Sequence, residues 1–189
     1  MYNSLSRLPN TLYNILTYLA QSDDQTIFKM LAYNDYDALS KPDLTFDEKM
    51  KLIWKTGPQE QYSIFLTPLI EDSITESKCV LKCYQYYIHP TDLFSSVVVF
   101  AFDFLYGGQM SLINYEGTPV SRGDLFINKL LEILNGANVG GVGTMMFNED
   151  LSRYIAAKAT IGNSKTFTGV CVYLGTVMGD SGRNINCEE

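Results

Sequence analysis

The stretch Val97-Val98-Val99-Phe100-Ala101-Phe102-Asp103-Phe104 decides the fold. β-Branched and aromatic residues follow one another without polar alternation, so the run from Ser95 to Tyr106 reads as a strand that is apolar on both faces. Such a strand is central in a sheet, or has one face on the core and the other against a partner. Its single charge, Asp103, is then either a paired buried carboxylate or a charge at an edge.

The neighbouring segments extend the pattern. On the N-terminal side, Lys78 to Ile88 is rich in Val, Leu, Cys and Tyr and is closed by His89-Pro90, which predicts a second strand. On the C-terminal side, Gly107-Gly108 is a turn signal in which both glycines favour φ > 0, and Gln109 to Tyr115 is expected to pair back as a hairpin. Ser121-Arg122-Gly123-Asp124 then opens a helix carrying Phe126, Ile127, Leu130, Leu131, Ile133 and Leu134, stopped by Asn135-Gly136. Apolar residues cover about half of its circumference, so it is expected to be sandwiched. Gly140 to Phe147 reads as a strand entered through a glycine bend, and Lys165 to Met178 as a long β-prone run. Ser152 to Ile161, between them, fits helix or extended chain.

The first third has the period of helices. Asn10 is a candidate cap for a helix with Leu12, Ile15, Leu16, Leu19 and Ala20 on one face. Asp23 or Asp24 starts a second, short one with Ile27, Met30 and Leu31, for which Asn34-Asp35 is the stop. Thr45-Phe46-Asp47-Glu48 has the form of a capping box, with Met50, Ile53 and Trp54 on the stripe begun by Phe46 and Thr56-Gly57-Pro58 as the end. The fold class expected from these segments is α+β: N-terminal helices, then a mostly antiparallel sheet or partial barrel with one packed helix at about 121–135. One principal domain is expected, organised as a helical region over 1–58, a β-rich core over 59–178 and a flexible tail over 179–189. Residues 1–8 and 179–189 lack a periodic apolar pattern and read as mobile arms.

Composition narrows the function. Hydrophobic residues make up 46% of the 189 and charged residues 19%, which excludes general disorder and leaves a surface poorer in charge than usual. With 13 Tyr against one Trp, the aromatic content either supplies residues that suit contact surfaces or is a compositional bias without functional meaning. A net charge of -7 and a pI near 4.7 argue against a protein whose task is to grip nucleic acid. No run of eighteen apolar residues occurs and the N-terminus has no signal-peptide pattern, so the product is expected to remain in the cytosol.

Candidate chemistry is sparse. Cys79, Cys83, Cys171 and Cys187 have no zinc-site spacing, His89 is the single histidine, and reduced, buried thiols are expected. A Cys83–His89 nucleophile pair is conceivable. The glycine-dense Asn135 to Gly143 follows a helix and leads into a strand, the reverse of the order in phosphate-binding loops, so it reads as a helix stop and bend. Arg122-Gly123-Asp124 spells a tripeptide of integrin ligands, but its place at a helix start makes it capping chemistry. No catalytic, cofactor-binding or metal residue is assigned, and no cofactor is expected.

Four segments carry a resemblance. Phe65-Leu66-Thr67-Pro68-Leu69-Ile70-Glu71-Asp72-Ser73-Ile74-Thr75-Glu76-Ser77, Tyr86-Tyr87-Ile88-His89-Pro90, Leu134 to Gly143, and Ile161-Gly162-Asn163-Ser164-Lys165-Thr166-Phe167-Thr168-Gly169 resemble neck proteins of tailed bacteriophages, over roughly residues 60–178. The resemblance implies a small α+β virion subunit of the head-closure, adaptor or tail-terminator kind, assembled in the host cytoplasm. Its implied partners are further copies in a ring, the portal or adjacent neck and tail proteins, and packaged DNA that passes without sequence-specific contact; no membrane is implied. The rival expectations are a soluble binding module that dimerises through its apolar strand, and an enzyme with an unrecognised site.

Overall fold

The computed structural model describes residues 5–69, 78–91, 95–147 and 167–179. In chain order these hold helices α1 (Leu8–Gln21), α2 (Thr26–Ala32) and α3 (Phe46–Lys51), then strands β1 (Ile64–Phe65), β2 (Val80–Pro90), β3 (Ser95–Gly107), β4 (Leu112–Tyr115) and β5 (Thr118–Ser121). Helix α4 (Arg122–Leu134) follows, and then β6 (Asn138–Val139), β7 (Gly143–Thr144) and β8 (Phe167–Gly179). The fold is α+β, with an open, mostly antiparallel sheet of order β1-β2-β3-β8 that does not close into a barrel.

The apolar run is β3, and it is central: it pairs antiparallel with β2 on one side and β8 on the other. The alternation of a strand sends Val98, Phe100, Phe102, Phe104 and Tyr106 into the main core. That core also takes Ile15, Leu16 and Leu19 of α1, Ile27, Met30 and Leu31 of α2, and Phe126, Leu130 and Leu134 of α4. Phe126 stacks on Phe104 with ring centroids 4.5 Å apart and planes 10° from parallel. Each side chain of this size contributes roughly 1.5–3 kcal/mol when fully buried. The N-terminal helices therefore share one core with the sheet. On the opposite face, Leu105 joins Val80 and Phe65 in a small second core, covered by Trp54 and Tyr62.

Several local expectations change. Helix α1 starts at Leu8, with Pro9 in its first turn, so Asn10 lies inside it; Leu5 and Leu8 pack on the core, which shortens the N-terminal arm. The capping box Thr45/Glu48 forms, but α3 ends at Lys51, before Thr56-Gly57-Pro58. Phe46 stays 42% exposed and Lys49 is buried, while Met50 and Ile53 pack on the core, so the apolar stripe turns inward everywhere but at its first residue. Ile53 also bridges Ile64 in parallel, because the next stretch of chain is drawn to the sheet edge.

Gly107-Gly108 makes no hairpin. Gly107 is the last residue of β3 with φ -65, Gly108–Met110 is a 3-10 turn, and Leu112–Tyr115 pairs with β5 through a Glu116-Gly117 turn at φ 52 and 81. Both edges of β3 are already taken by β2 and β8, so no edge is left for the following segment. The glycine bend does not open a strand running to Phe147 but joins the short strands β6 and β7 into a pair, after which Met146 bridges Gly175 of β8. Ser152 to Ile161 and residues 180–189 lie outside the described residues.

Candidate functional site

Asp103 is the first place to look for chemistry, because a carboxylate 4% exposed on a central strand needs partners. It has them on its own cross-strand rung and the next. Lys82 Nζ is 3.2 Å from Asp103 Oδ2, and the Tyr84 hydroxyl donates to the same oxygen at 3.1 Å. Lys82 also donates to the Pro68 carbonyl at 3.4 Å. Cys171 faces Asp103 from β8; burial pushes its thiol up to about 12, and the carboxylate acts in the same direction. Burial, then Asp103, likewise raises the Tyr84 phenol. The cluster thus pairs one carboxylate with one ammonium while burial holds the protons on Tyr84 and Cys171, an arrangement that ties the three strands together.

Beyond that rung the same face becomes a tyrosine surface. Successive rungs carry Tyr84, Ala101 and Tyr173, then Tyr87, Val99 and Gly175, then His89, Val97 and Val177. A bulge between Gln85 and Tyr87 inserts Tyr86, whose ring meets that of Tyr173 at 4.9 Å. Tyr87 is 48% exposed, Val177 44% and Tyr86 42%. The Tyr87 and His89 rings lie parallel with centroids 6.1 Å apart. No Asp, Glu, Lys or Arg occurs in Tyr84–Pro90, Ser95–Ala101 or Tyr173–Gly179, the stretches that make this half of the sheet. Among the described residues, no strand pairs with the outer edge of β2 beyond Lys82.

Five of the described cations are held by groups of the fold. Arg122, fully buried, donates from Nε to Met110 O at 2.9 Å and from Nη2 to Asp35 O at 2.8 Å, with Nη1 3.5 Å from Cys79 Sγ. Lys49 donates to Ala20 O and Ser22 O at 3.0 and 3.1 Å, closing the C-terminus of α1, and burial lowers its pKa. Lys78 donates to the carbonyls of Glu60 (2.7 Å) and Tyr62, again with its pKa lowered by burial. Lys29 binds Leu39 O and Asp43. In the tripeptide Arg122-Gly123-Asp124 the guanidinium, the glycine and the Asp124 amide all serve the packing and capping of α4. A Cβ on Gly123 would come within 2.8 Å of the Tyr106 hydroxyl, and Ser121 Oγ accepts from the Asp124 amide as the cap. Sequence reasoning saw the cap and missed the buried guanidinium, because nothing local marks an arginine whose partners are 12 and 87 residues away.

The remaining candidates do not converge. Cys83 is in the main core and His89 is exposed six residues further along β2, about 20 Å at the rise of a strand, so they form no pair. Burial raises the thiols of Cys79, to about 11, and Cys83; Cys187 lies outside the described residues. The glycine-rich stretch acts as a bend. Gly143, at φ 111, lets the backbone approach β8 where a Cβ would meet Thr176 Oγ1 at 3.0 Å. A polar cleft of about 300 Å³ lies between α2 and the β4–β5 turn, but its cation, Lys29, is held by Asp43 and its Asn114 amide donates to Asp37. Among the described residues, no group of three His, Cys, Asp or Glu could hold a metal ion, and no helix is long and apolar enough to cross a membrane.

No curated protein and no solved structure matches the chain. One family model does, over residues 24–174; it is described as YomW, a name patterned on a gene of a Bacillus phage region, which points to a phage-derived protein.

Proposed function

We propose that this chain, which belongs to the YomW family, is a structural subunit of a phage virion neck, acting by assembly and not as an enzyme. In this reading, copies form a ring that joins the portal and head to the tail around the DNA channel. Portal, neck or tail proteins lie above and below, and the ring is assembled in the host cytoplasm and carried in the virion.

The observation that carries the reading is the asymmetry of the sheet. One face of β3 is sealed by α1, α2 and α4, while the other ends in a tyrosine-rich surface without formal charge. An exposed aromatic surface on a rigid sheet is the kind of patch that takes a protein partner. The engaged cations support the second half of the reading. Arg122, Lys29, Lys49, Lys78 and Lys82 are engaged by carbonyls or carboxylates of the fold, and the chain carries a net charge of -7, a balance that suits a wall along which DNA slides.

The test is to disrupt the gene in a producing phage and to examine purified particles by mass spectrometry and imaging. The expected outcome is this chain in the density between head and tail, and filled heads that fail to join tails in its absence. A chain absent from finished particles that still form normally overturns the reading.

A further inference from the structure

Resting on that assembly reading, we propose that the uncharged tyrosine surface on the outer half of the sheet, formed around Tyr84, Tyr87, His89, Tyr173 and Val177, is the docking site for a second copy of this chain. Charge selects the occupant. Each copy carries -7, from 21 acidic against 14 basic residues, and several of the cations are spent inside the fold, so two copies repel over most approaches. The segments Tyr84–Pro90, Ser95–Ala101 and Tyr173–Gly179 are where two such surfaces can meet without burying or opposing a charge. A basic partner or a phosphate backbone finds nothing there to pair with.

The side chains fit the same role. Tyrosine rings bury a large apolar area at little conformational cost, which is why they anchor such contacts. The margin of the patch adds backbone groups. Among the described residues no strand covers the edge of β2 from Cys83 to Thr91, and no charged side chain of that stretch guards it as charges ordinarily guard an open edge. The bulge after Gln85 and the presence of Pro90 limit any added strand to a short one, so side chains supply most of the contact.

Sedimentation equilibrium of the full chain tests this, comparing the native protein with the double variant Tyr87→Glu/Val177→Glu and with Tyr13→Glu, an exposed position on α1. Native self-association should strengthen as salt screens the mutual repulsion, whereas contact through charge pairs would weaken. The double variant should associate about tenfold more weakly or worse, equivalent to about 1.4 kcal/mol, with its melting temperature unchanged, and Tyr13→Glu should behave as native. Equal association of native and double variant places the contact elsewhere and overturns the proposal, while leaving the assembly reading intact. Should the native chain stay monomeric in solution, or the double variant fail to fold, a photo-crosslinker at position 87 in particle-producing cells decides. Crosslinks to a second copy support the proposal; crosslinks only to other proteins, or none, overturn it. Absence of the chain from particles is the separate result that removes the neck reading.

Discussion

The carboxylate of Asp103 and the ammonium of Lys82 lie 3.2 Å apart as direct cross-strand neighbours, with side chains only 5% and 10% exposed. Pairing at that depth makes each dependent on the other, because either charge alone keeps its desolvation cost and loses its compensation. Lys82→Met should therefore cost about 3–5 kcal/mol, whereas Lys82→Met with Asp103→Leu should come out near neutral or more stable than native. Urea melts of the two variants measure it; equal losses in both would contradict the pairing.

Arg122 leads to a second expectation. Its guanidinium joins the loop at Asp35 to the turn at Met110, two segments brought together by no regular secondary structure between them. Arg122→Lys keeps the charge but cannot present donors in the same fork, so it should destabilise nearly as much as Arg122→Met, by about 3 kcal/mol or more. Thermal unfolding of both checks this, and a Lys variant with native stability would show that charge alone is needed.

Two glycines separate close approach from mere turn preference. A Cβ on Gly169 would fall 2.3 Å from the Phe104 carbonyl oxygen, inside the β3–β8 ladder, whereas at Gly108 nothing lies within 4 Å. Gly169→Ala should push the two strands apart and cost about 3 kcal/mol or more, while Gly108→Ala should stay within about 0.5 kcal/mol of native. Denaturant midpoints of the pair provide the comparison.

Acid should loosen the junction of α2 and α4. Burial acts to raise the Asp24 carboxyl, but hydrogen bonds from the backbone and hydroxyl of Thr26 and the Lys129 ammonium 3.1 Å away outweigh it and leave the pKa lowered. A carboxyl lowered in the folded state contributes stability that is present above its unfolded pKa, near ~4, and is lost as pH falls through the lower folded value. Melting temperatures taken from neutral pH down through that window should fall more steeply for the native protein than for Asp24→Asn. Parallel curves would remove Asp24 from the acid response.

The parts of the fold legible in the sequence were those set by local pattern. Ser95 to Tyr106 declared a strand apolar on both faces, for which a central place was one of two options, and Ser121 to Leu134 declared a capped helix by its cap residues and spacing. What escaped depended on distance in the chain. The pairing of β3 with residues 167–179 leaves no local trace, and that pairing is what denies Gln109 to Tyr115 its expected place. Lys49 escaped because its long stem can reach past the exposed Phe46 and deliver a charge to the carbonyls that end α1. The tyrosine surface was foreseen only as composition. Its placement needed the register that sets Tyr84 beside Tyr173 across Ala101.

The order β2-β3-β8 also sets a timetable for synthesis. Strand β3 finds β2 at once, but its other edge stays bare until residues 108–166 have been made and β8 emerges. At ribosomal speeds of about 5–20 residues per second the wait lasts on the order of several seconds. During that interval the most apolar strand of the protein presents one open edge to every other nascent copy in the cell. Folding yield should therefore depend on chaperones and on expression rate more than the stability of the finished sheet suggests.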